Sequence, residues 1–278
     1  MANVLITGCS SGIGLLTALH FARHGDRVFA TMRTLAKGDD LRRTAAAENL
    51  PLTVHRLDVT EPASVEAAVA EVLAAGPLDV LVNNAGIECR SSIEDADDAD
   101  VHRQFDTNVF GMLRVTRGVL PAMRARRGGT IVNVSSIAGL VSRPYGGLYS
   151  ASKHAIEAIS EALHFEVQQF GIRVVMVEPG QYGTSLLDNA FHGNAFGPQS
   201  PYWRQSVRLD ESLARLRPDG KMQDPKEVAA LIYTAAKSES PKLRNLAGAD
   251  AHMLATAHRQ MEFEDFQRAI RQSLDWHD

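Results

Sequence analysis

The chain has 278 residues, 45% of them hydrophobic, with a formal net charge of −4 and a pI near 6.2. That balance argues against general nucleic-acid binding, two cysteines (Cys9 and Cys89) make no disulfide framework, and no run of about 18 apolar residues exists to span a membrane. The length suits one large α/β domain. The first strand begins so close to Met1 that no signal peptide is expected, and the expected location is cytoplasmic.

In chain order, apolar runs predict strands at Val4–Thr7, Val28–Thr31, Thr53–Leu57, Val80–Val82, Thr130–Val134 and Val174–Glu178, with a seventh near Leu243–Leu246. Helical periodicity lies between them, at 12–24, 34–47, 62–75, 98–126 and 150–170. Buried strands alternating with helices imply a parallel sheet covered on both faces. Right-handed crossovers then give a doubly wound Rossmann fold, a single domain over 1–278 with a seven-stranded sheet. The arginines at 124, 126 and 127 follow a helix and read as partners of its C-terminal dipole end.

Three places in this pattern carry chemistry. Gly8-Cys9-Ser10-Ser11-Gly12-Ile13-Gly14 joins the first strand to the first helix. Glycines let the backbone turn tightly beside an anion, and the helix N-terminus offers free N–H groups and a positive dipole end. Asn83-Asn84-Ala85-Gly86 follows the fourth strand, where an α/β sheet binds ligands, although Asn and Gly also favour plain turns. Tyr149 and Lys153 are four residues apart on one helix face, with Ser136 thirteen residues before the tyrosine. A phenol is a poor acid or base at neutral pH, and a neighbouring ammonium favours its ionised form. With a serine hydroxyl to hold a carbonyl or alcohol oxygen, the three form a proton-transfer device. Asn108, inside an amphipathic helix marked by Val101, Phe105, Val109, Met112, Thr116, Val119 and Met123, is a buried polar group that must find partners.

Thr7-Gly8-x-x-x-Gly12-Ile13-Gly14, Asn83-Asn84-Ala85-Gly86, Asn108, Ser136, Tyr149-x-x-x-Lys153 and Pro179-Gly180 occur in one order. That order and spacing resemble the short-chain dehydrogenases/reductases, from about Asn3 to Thr184 and more loosely beyond. The run V-L-I-T-G-C-S-S-G-I-G, with A-T-M-R at 30–33, resembles the branch holding 17β-hydroxysteroid and retinol dehydrogenases.

The resemblance implies an oxidoreductase that moves hydride between a nicotinamide and an alcohol or ketone. Ser136 would hold the substrate oxygen, Tyr149 would exchange its proton, and Lys153 would bond the nicotinamide ribose and lower the phenol pKa. Asn108 would bend its helix and hold a water leading from the lysine to solvent. Gly8, Ser10, Ser11, Gly12, Ile13, Gly14, Asp58, Val59, Asn84, Ala85 and Gly86 would line the cofactor's phosphate and adenosine side. Asp58 also reads as a turn or N-cap residue before Glu61-Pro62. Pro179, Gly180, Tyr182 and Thr184 would lie near the nicotinamide; the family usually has a small aliphatic residue where Tyr182 stands. In Ala30-Thr31-Met32-Arg33-Thr34 no acid waits for a ribose 2′-hydroxyl, and Arg33 can pair with a 2′-phosphate. NADP(H) is therefore favoured, with NAD(H) as the alternative.

Residues 186–224 lose periodicity and carry Phe191, Phe196, Tyr202 and Trp203 among Gly, Asn and Pro. This segment reads as a lid over a bulky hydrophobic alcohol or ketone, or as aromatics that simply pack it down. Tyr145 reads as a loop or substrate-wall residue. No metal site is expected: His20 and His24 share a helix face without a third ligand. Kinship suggests a homodimer or homotetramer through helices 98–126 and 150–170. The C-terminal Phe266, Ile270 and Leu274, at i+4 spacing, suggest a helix capping a neighbour or the cleft. Two other readings stay open: a different enzyme class on this fold, such as an epimerase or dehydratase, and a catalytically silent NADP-binding regulator.

Overall fold

The structure, a computed structural model, describes residues 1–184, 186, 190–215, 221–274 and 276. Its main sheet has seven parallel strands in the order β3-β2-β1-β4-β6-β7-β9. These are β1 (Asn3–Ile6), β2 (Arg27–Met32), β3 (Leu52–Arg56), β4 (Val80–Asn83), β6 (Gly129–Val134), β7 (Ile172–Pro179) and β9 (Arg244–Ala247). All seven expected strands are present within a few residues. Two-residue strands β5 (Cys89–Arg90) and β8 (Phe191–His192) form a second, parallel pair.

Alternation along the strands sorts side chains into two cores. Val4, Ile6, Val28, Ala30, Val80, Val82, Val175 and Val177 face one way, against α1 (Gly12–Arg23) and, later in the chain, α8 (Lys226–Lys237). Leu5, Phe29, Leu81, Ile131, Ile172 and Val174 face the other, against α3 (Pro62–Ala74), α5 (Gly111–Ala125) and α6 (Gly147–Gln168). Both faces are therefore dry, which is why the strands read as nearly unbroken apolar runs. Strand order reverses at β1, which pairs with β2 on one side and β4 on the other. The crevice at the strands' C-terminal ends opens at this reversal.

The helices differ from expectation in four places. A 3-10 turn, Leu35–Gly38, precedes α2 (Asp39–Ala47), and α6 starts at Gly147. The helix expected over 98–126 is α4 (Asp98–Phe105), a π-helical turn (Asp106–Phe110) and α5. Within 186–224 the structure contains β8 and a 13-residue helix, α7 (Trp203–Arg215). This segment is tied to the loop after β4 by the Arg90–Asp210 ion pair and by Asn194 N–H to Asp100 Oδ2 at 2.9 Å. The chain then runs through α8 and β9 into α9 (Ala249–Gln260) and α10 (Phe263–Ser273), which buries Phe266. Among the described residues no helix is long and apolar enough to cross a membrane.

Candidate active site

The glycine turn leaves β1 and enters α1 with Gly8 at φ +74° and Gly12 at φ +57°, the left-handed region that glycine reaches at least cost. The turn is packed against the loop after β4. A Cβ on Gly14 would lie 2.3 Å from both Gly8 O and Asn84 Nδ2, and one on Gly8 would lie 2.8 Å from Ala85 Cα. Asn84 sews the two loops together: Nδ2 donates to Thr7 O at 2.9 Å and Gly8 O at 3.2 Å. The Asn84 and Ala85 N–H groups both donate to Thr7 Oγ1 at 3.0 Å. The Asn84 side chain thus shapes the turn, and Gly86 follows it beside Asn108. Ser11 is the N-cap of α1, Ser10 and Ile13 flank it half-buried, and the first turn of α1 holds no acid. The result is a backbone cradle suited to a phosphate.

Arg33 emerges just past β2, exposed, and among the described residues its guanidinium has no hydrogen-bonding or ionic partner. Asp58, after β3, is buried; its Oδ1 accepts from Thr60 N at 3.0 Å and Thr60 Oγ1 at 2.8 Å, the turn role. Val59 packs under Gly111, where a Cβ would come within 2.7 Å of it.

Ser136, Tyr149 and Lys153 come together at the end of β6. Ser136 caps a 3-10 turn (Ile137–Gly139), its Oγ accepting from Ala138 N at 3.1 Å and donating to Pro179 O at 3.4 Å. Tyr149 lies in the first turn of α6, buried, with the Ser136 hydroxyl close enough to act on its phenol. Lys153 Nζ, one turn on and 6% exposed, donates to Val134 O at 2.8 Å and sits 5.6 Å from the Tyr149 ring centroid. Burial pushes the ammonium down to about 8, against the pull of Glu157 and Glu88.

The phenol differs from expectation. Burial, reinforced by Glu88, pushes Tyr149 well above the ordinary tyrosine value, opposed by the Ser136 hydroxyl and by Arg143. Desolvation outweighs the lysine here because the ammonium is itself dehydrated and is aimed at a backbone carbonyl.

Asn108 lies in the π-helical turn, 1% exposed. Its Oδ1 accepts from Ile87 N at 2.9 Å, and its Nδ2 donates to Ile87 O and Ser152 Oγ, each at 3.0 Å. Ser152 Oγ in turn donates to Tyr149 O at 2.7 Å. The asparagine thereby couples the loop after β4 to the helix that carries the tyrosine.

Pro179 ends β7, and Gly180 and Gln181 pack on Asp250, whose Oδ2 accepts from Gln181 N at 2.7 Å. The Tyr182 side chain turns away from the crevice into the core, 4% exposed, with its hydroxyl 3.4 Å from Glu227 Oε2. Only its backbone faces the strand end, beside Thr184, whose N–H bonds Tyr182 O at 2.9 Å. Tyr145, at φ +58°, stacks between Phe196 (5.7 Å) and Trp276 (5.9 Å). Trp203 meets Phe196 edge-on at 5.4 Å, so these aromatics form one cluster around Tyr145, four residues before Tyr149.

Sequence reasoning passed over Glu88. This carboxylate is 2% exposed, pairs with Arg143, and acts on both Tyr149 and Lys153. Its position directly after Asn84-Ala85-Gly86-Ile87 was the available signal. It also passed over a buried chain from Asn83 through Asn133 (2.9 Å) to Ser160 (2.8 Å), which ties β4, β6 and α6 together beneath the site. His20 and His24 stack with Tyr233 of α8, and among the described residues no group of three possible metal ligands occurs.

Residues 2–195 match the family model described as short chain dehydrogenase. A 3-ketodihydrosphingosine reductase of Bacteroides thetaiotaomicron is 35% identical, over 88% of this chain and 87% of its own. Retinol dehydrogenase 8 of Bos taurus is 39% identical, over 87% and 80%. Among solved structures, a short-chain dehydrogenase from Streptomyces avermitilis superposes with a TM-score of 0.80 at 36% identity, covering 99% of this chain and 96% of that one. A gluconate 5-dehydrogenase from Burkholderia cenocepacia, solved with NADP and tartrate, gives 0.74 at 26%, covering 91% and 95%.

Proposed function

The chain belongs to the short-chain dehydrogenase family and is an oxidoreductase, and from that premise we propose that it is NADP(H)-dependent and acts on a hydrophobic secondary alcohol or ketone, or on a primary alcohol or aldehyde. The observation that carries the reading is the meeting of Ser136, Tyr149 and Lys153 at the end of β6, beside a glycine cradle that a single Cβ would fill. The cradle fits a dinucleotide pyrophosphate, and the unpartnered Arg33 fits a 2′-phosphate. NADP in the Burkholderia neighbour supports the same preference.

Gly8, Ser10, Ser11, Gly12, Ile13 and Gly14 hold the pyrophosphate side. Asp58, Val59, Asn84, Ala85 and Gly86 bound the adenosine side, and Pro179, Gly180, Thr184 and the Tyr182 backbone bound the nicotinamide side. The bound cofactor supplies or accepts the hydride. Ser136 Oγ holds the substrate oxygen. The Tyr149 hydroxyl gives its proton to that oxygen as negative charge develops there, and takes it back in the oxidative direction. A protonated phenol at neutral pH, as burial ensures here, is the form that reduction needs. Lys153 places a positive charge beside the phenol and resists departure of that proton least when it is an ammonium. Asn108 fixes the loop and helix that carry these groups.

The aromatic cluster of Tyr145, Phe196 and Trp203 favours an apolar substrate, with 186–224 as its lid. The names of the relatives, a retinol dehydrogenase and a 3-ketodihydrosphingosine reductase, point the same way. Phe110 and Phe165 are 47% and 75% exposed on the outer helices, which suits a homodimer or homotetramer formed there. The test is nicotinamide absorbance with steroid, retinoid, aromatic and aliphatic alcohols, with each cofactor. Tyr149→Phe should cut turnover by a factor of about 10²–10⁴; a fully active variant refutes the proton-donor assignment.

A further inference from the structure

Behind Lys153, on the side away from Tyr149, lies a cluster that the reaction as described does not use. Glu157, one turn after Lys153 on α6, and Glu178, on β7, are 4% and 0% exposed. One cation, Arg244 of β9, serves both, and it also bonds the half-exposed Glu161 at 2.6 Å. Three carboxylates against one guanidinium leave a net charge of −2 (−3 + 1) when all are ionised, and −1 with the Lys153 ammonium counted. Two of those charges are out of water, an arrangement that a protein interior does not sustain.

The hydrogen bonding says where the excess is relieved. Among the described residues, Glu157 Oε1 and Glu178 Oε2 are buried without a partner. Yet the two carboxyls converge on one nitrogen, since Arg244 Nη1 meets both Glu157 Oε2 and Glu178 Oε1. Gly139 closes over the Glu157 carboxyl: a Cβ there would lie 2.9 Å from Glu157 Cγ and 3.1 Å from Oε1. One proton turns the contact between acceptors into a donated O–H···O bond. Like charges that share a site behave in this way, one carboxyl holding its proton far above the usual range.

We propose that Glu157 and Glu178 hold one proton between them, and that the pair is a positioning device for Lys153, releasing this proton as pH rises so that the Glu157 carboxylate keeps the lysine an ammonium. The role in turnover rests on the catalytic reading above; the shared proton does not. Burial pushes Glu157 up, with Glu178 adding to it and Ser135 and Arg244 opposing. Glu157 in turn is the first of two groups that hold Lys153 up against desolvation, Glu88 being the other. The charged and titratable groups facing the pair are therefore Lys153 and Glu161 from α6 and Arg244 from β9, with Glu88 and Tyr149 on the far side of the lysine. On release, the proton passes to solvent at the exposed edge of the cluster, where Glu161 lies.

The chain has six lysines, so the ε-carbon resonance of Lys153 can be followed by NMR in lysine-labelled protein without any turnover. Glu157→Gln should lower the Lys153 titration midpoint by about one pH unit. Glu178→Gln, which leaves Glu157 ionised beside Arg244, should leave it unchanged or raise it. The infrared carbonyl band of a buried protonated carboxylic acid should be present in the wild type in mildly acid buffer and lost in Glu178→Gln. An unmoved midpoint in Glu157→Gln, an equal drop in both variants, or a wild type without the band would overturn the proposal. In the reduction assay the alkaline limb of kcat/KM should shift with the NMR midpoint in Glu157→Gln. A protein that passes the NMR and infrared tests but turns over no alcohol would refute the catalytic reading alone.

Discussion

Replacing Asn108 by alanine probes the joint between the loop after β4 and the catalytic helix. The carboxamide makes three hydrogen bonds, but their loss is unequal. Ile87 O keeps a second donor, Gln104 Nε2 at 2.9 Å, and Ser152 Oγ keeps its acceptor, Tyr149 O. Only the Ile87 N–H is orphaned, because Asn108 Oδ1 at 2.9 Å is its partner. An unsatisfied buried N–H costs about 1–3 kcal/mol, and each of the other two bonds contributes roughly 0.5–1 kcal/mol. Alanine returns about 0.6 kcal/mol of helix propensity. The net expectation is a destabilisation of roughly 1.5–4.5 kcal/mol. Urea unfolding should show a lower midpoint with an unchanged m value. Turnover should fall as well, since Ile87 leads directly to Glu88 and Ser152 is bonded to the Tyr149 backbone. Asn108→Asp gives a second reading. It keeps the Ile87 N–H bond but aims a carboxylate oxygen at Ile87 O, so its deficit should shrink on acidification, when the acid can donate. An alanine variant with wild-type midpoint and wild-type turnover would refute the claim that Asn108 holds these elements in place.

The glycine cradle makes a paired prediction. Gly14→Ala, whose methyl would meet Gly8 O at 2.3 Å, should weaken NADPH binding more than about tenfold and cost about 1–3 kcal/mol. Gly128→Ala, with nothing within 4 Å, should bind normally by the same fluorescence titration. At Arg33, an exposed guanidinium without a partner, substitution by Asp should raise the KM for NADP(H) by roughly 10–100-fold, the worth of a charge-assisted bond, and leave NAD(H) as good or better. Equal losses with both cofactors would remove Arg33 from the 2′-phosphate.

Local signals made the scaffold legible. Seven apolar runs bounded by turn residues are buried parallel strands wherever both faces are covered, so the seven strands of the main sheet follow from composition and spacing, while the short β5 and β8 do not. Tyr149 and Lys153 share a helix face by arithmetic alone. The π-helical turn at Asp106–Phe110 was hidden, because Val101, Phe105, Val109 and Met112 keep a helical period through it. The extra residue in that turn is set by tertiary bonds from Asn108 to Ile87, which no local pattern records. Helix α7 was masked by its composition: with polar residues on most of its surface, the apolar stripe is narrow and is completed by the Arg90–Asp210 pair, 120 residues apart. Glu88 and Arg143 are likewise 55 residues apart and read separately as ordinary surface charges. Tyr182 looked like a cofactor contact because its backbone is at the strand end, while its ring finds more apolar contact in the core.

Lys153 ends the account because its burial works against folding. The folded lysine gives up its proton at about 8, against the ordinary 10.5, with desolvation as the main cause. A lowered lysine means that the unfolded chain binds more protons between those values, so stability should rise with pH across that window. Below it the full cost is present: roughly 2.5 pH units, or roughly 3 kcal/mol. The raised carboxyl of Glu157 has the opposite slope, but at lower pH, since folded Glu157 holds its proton longer than the unfolded chain does. The raised phenol of Tyr149 also destabilises with rising pH, but only above about pH 10, where an ordinary tyrosine begins to ionise. The buried Cys9 and Cys89 thiols, both pushed up to about 12 by burial, likewise destabilise with rising pH from about pH 9, so the interval from about pH 8 to 9 belongs to the lysine. Lys153→Met removes the charge and leaves Val134 O without its 2.8 Å donor, a loss of about 1 kcal/mol. The variant should be more stable than the wild type at neutral pH by roughly 2 kcal/mol, should lack the rise between about pH 8 and 9, and should be almost inactive. Denaturant midpoints across the pH series measure the first two, and the nicotinamide assay the third. A methionine variant less stable than the wild type at neutrality would mean that the lysine is held for the fold. The expected gain would mean that the fold carries a charge at a cost because the proton transfer needs it.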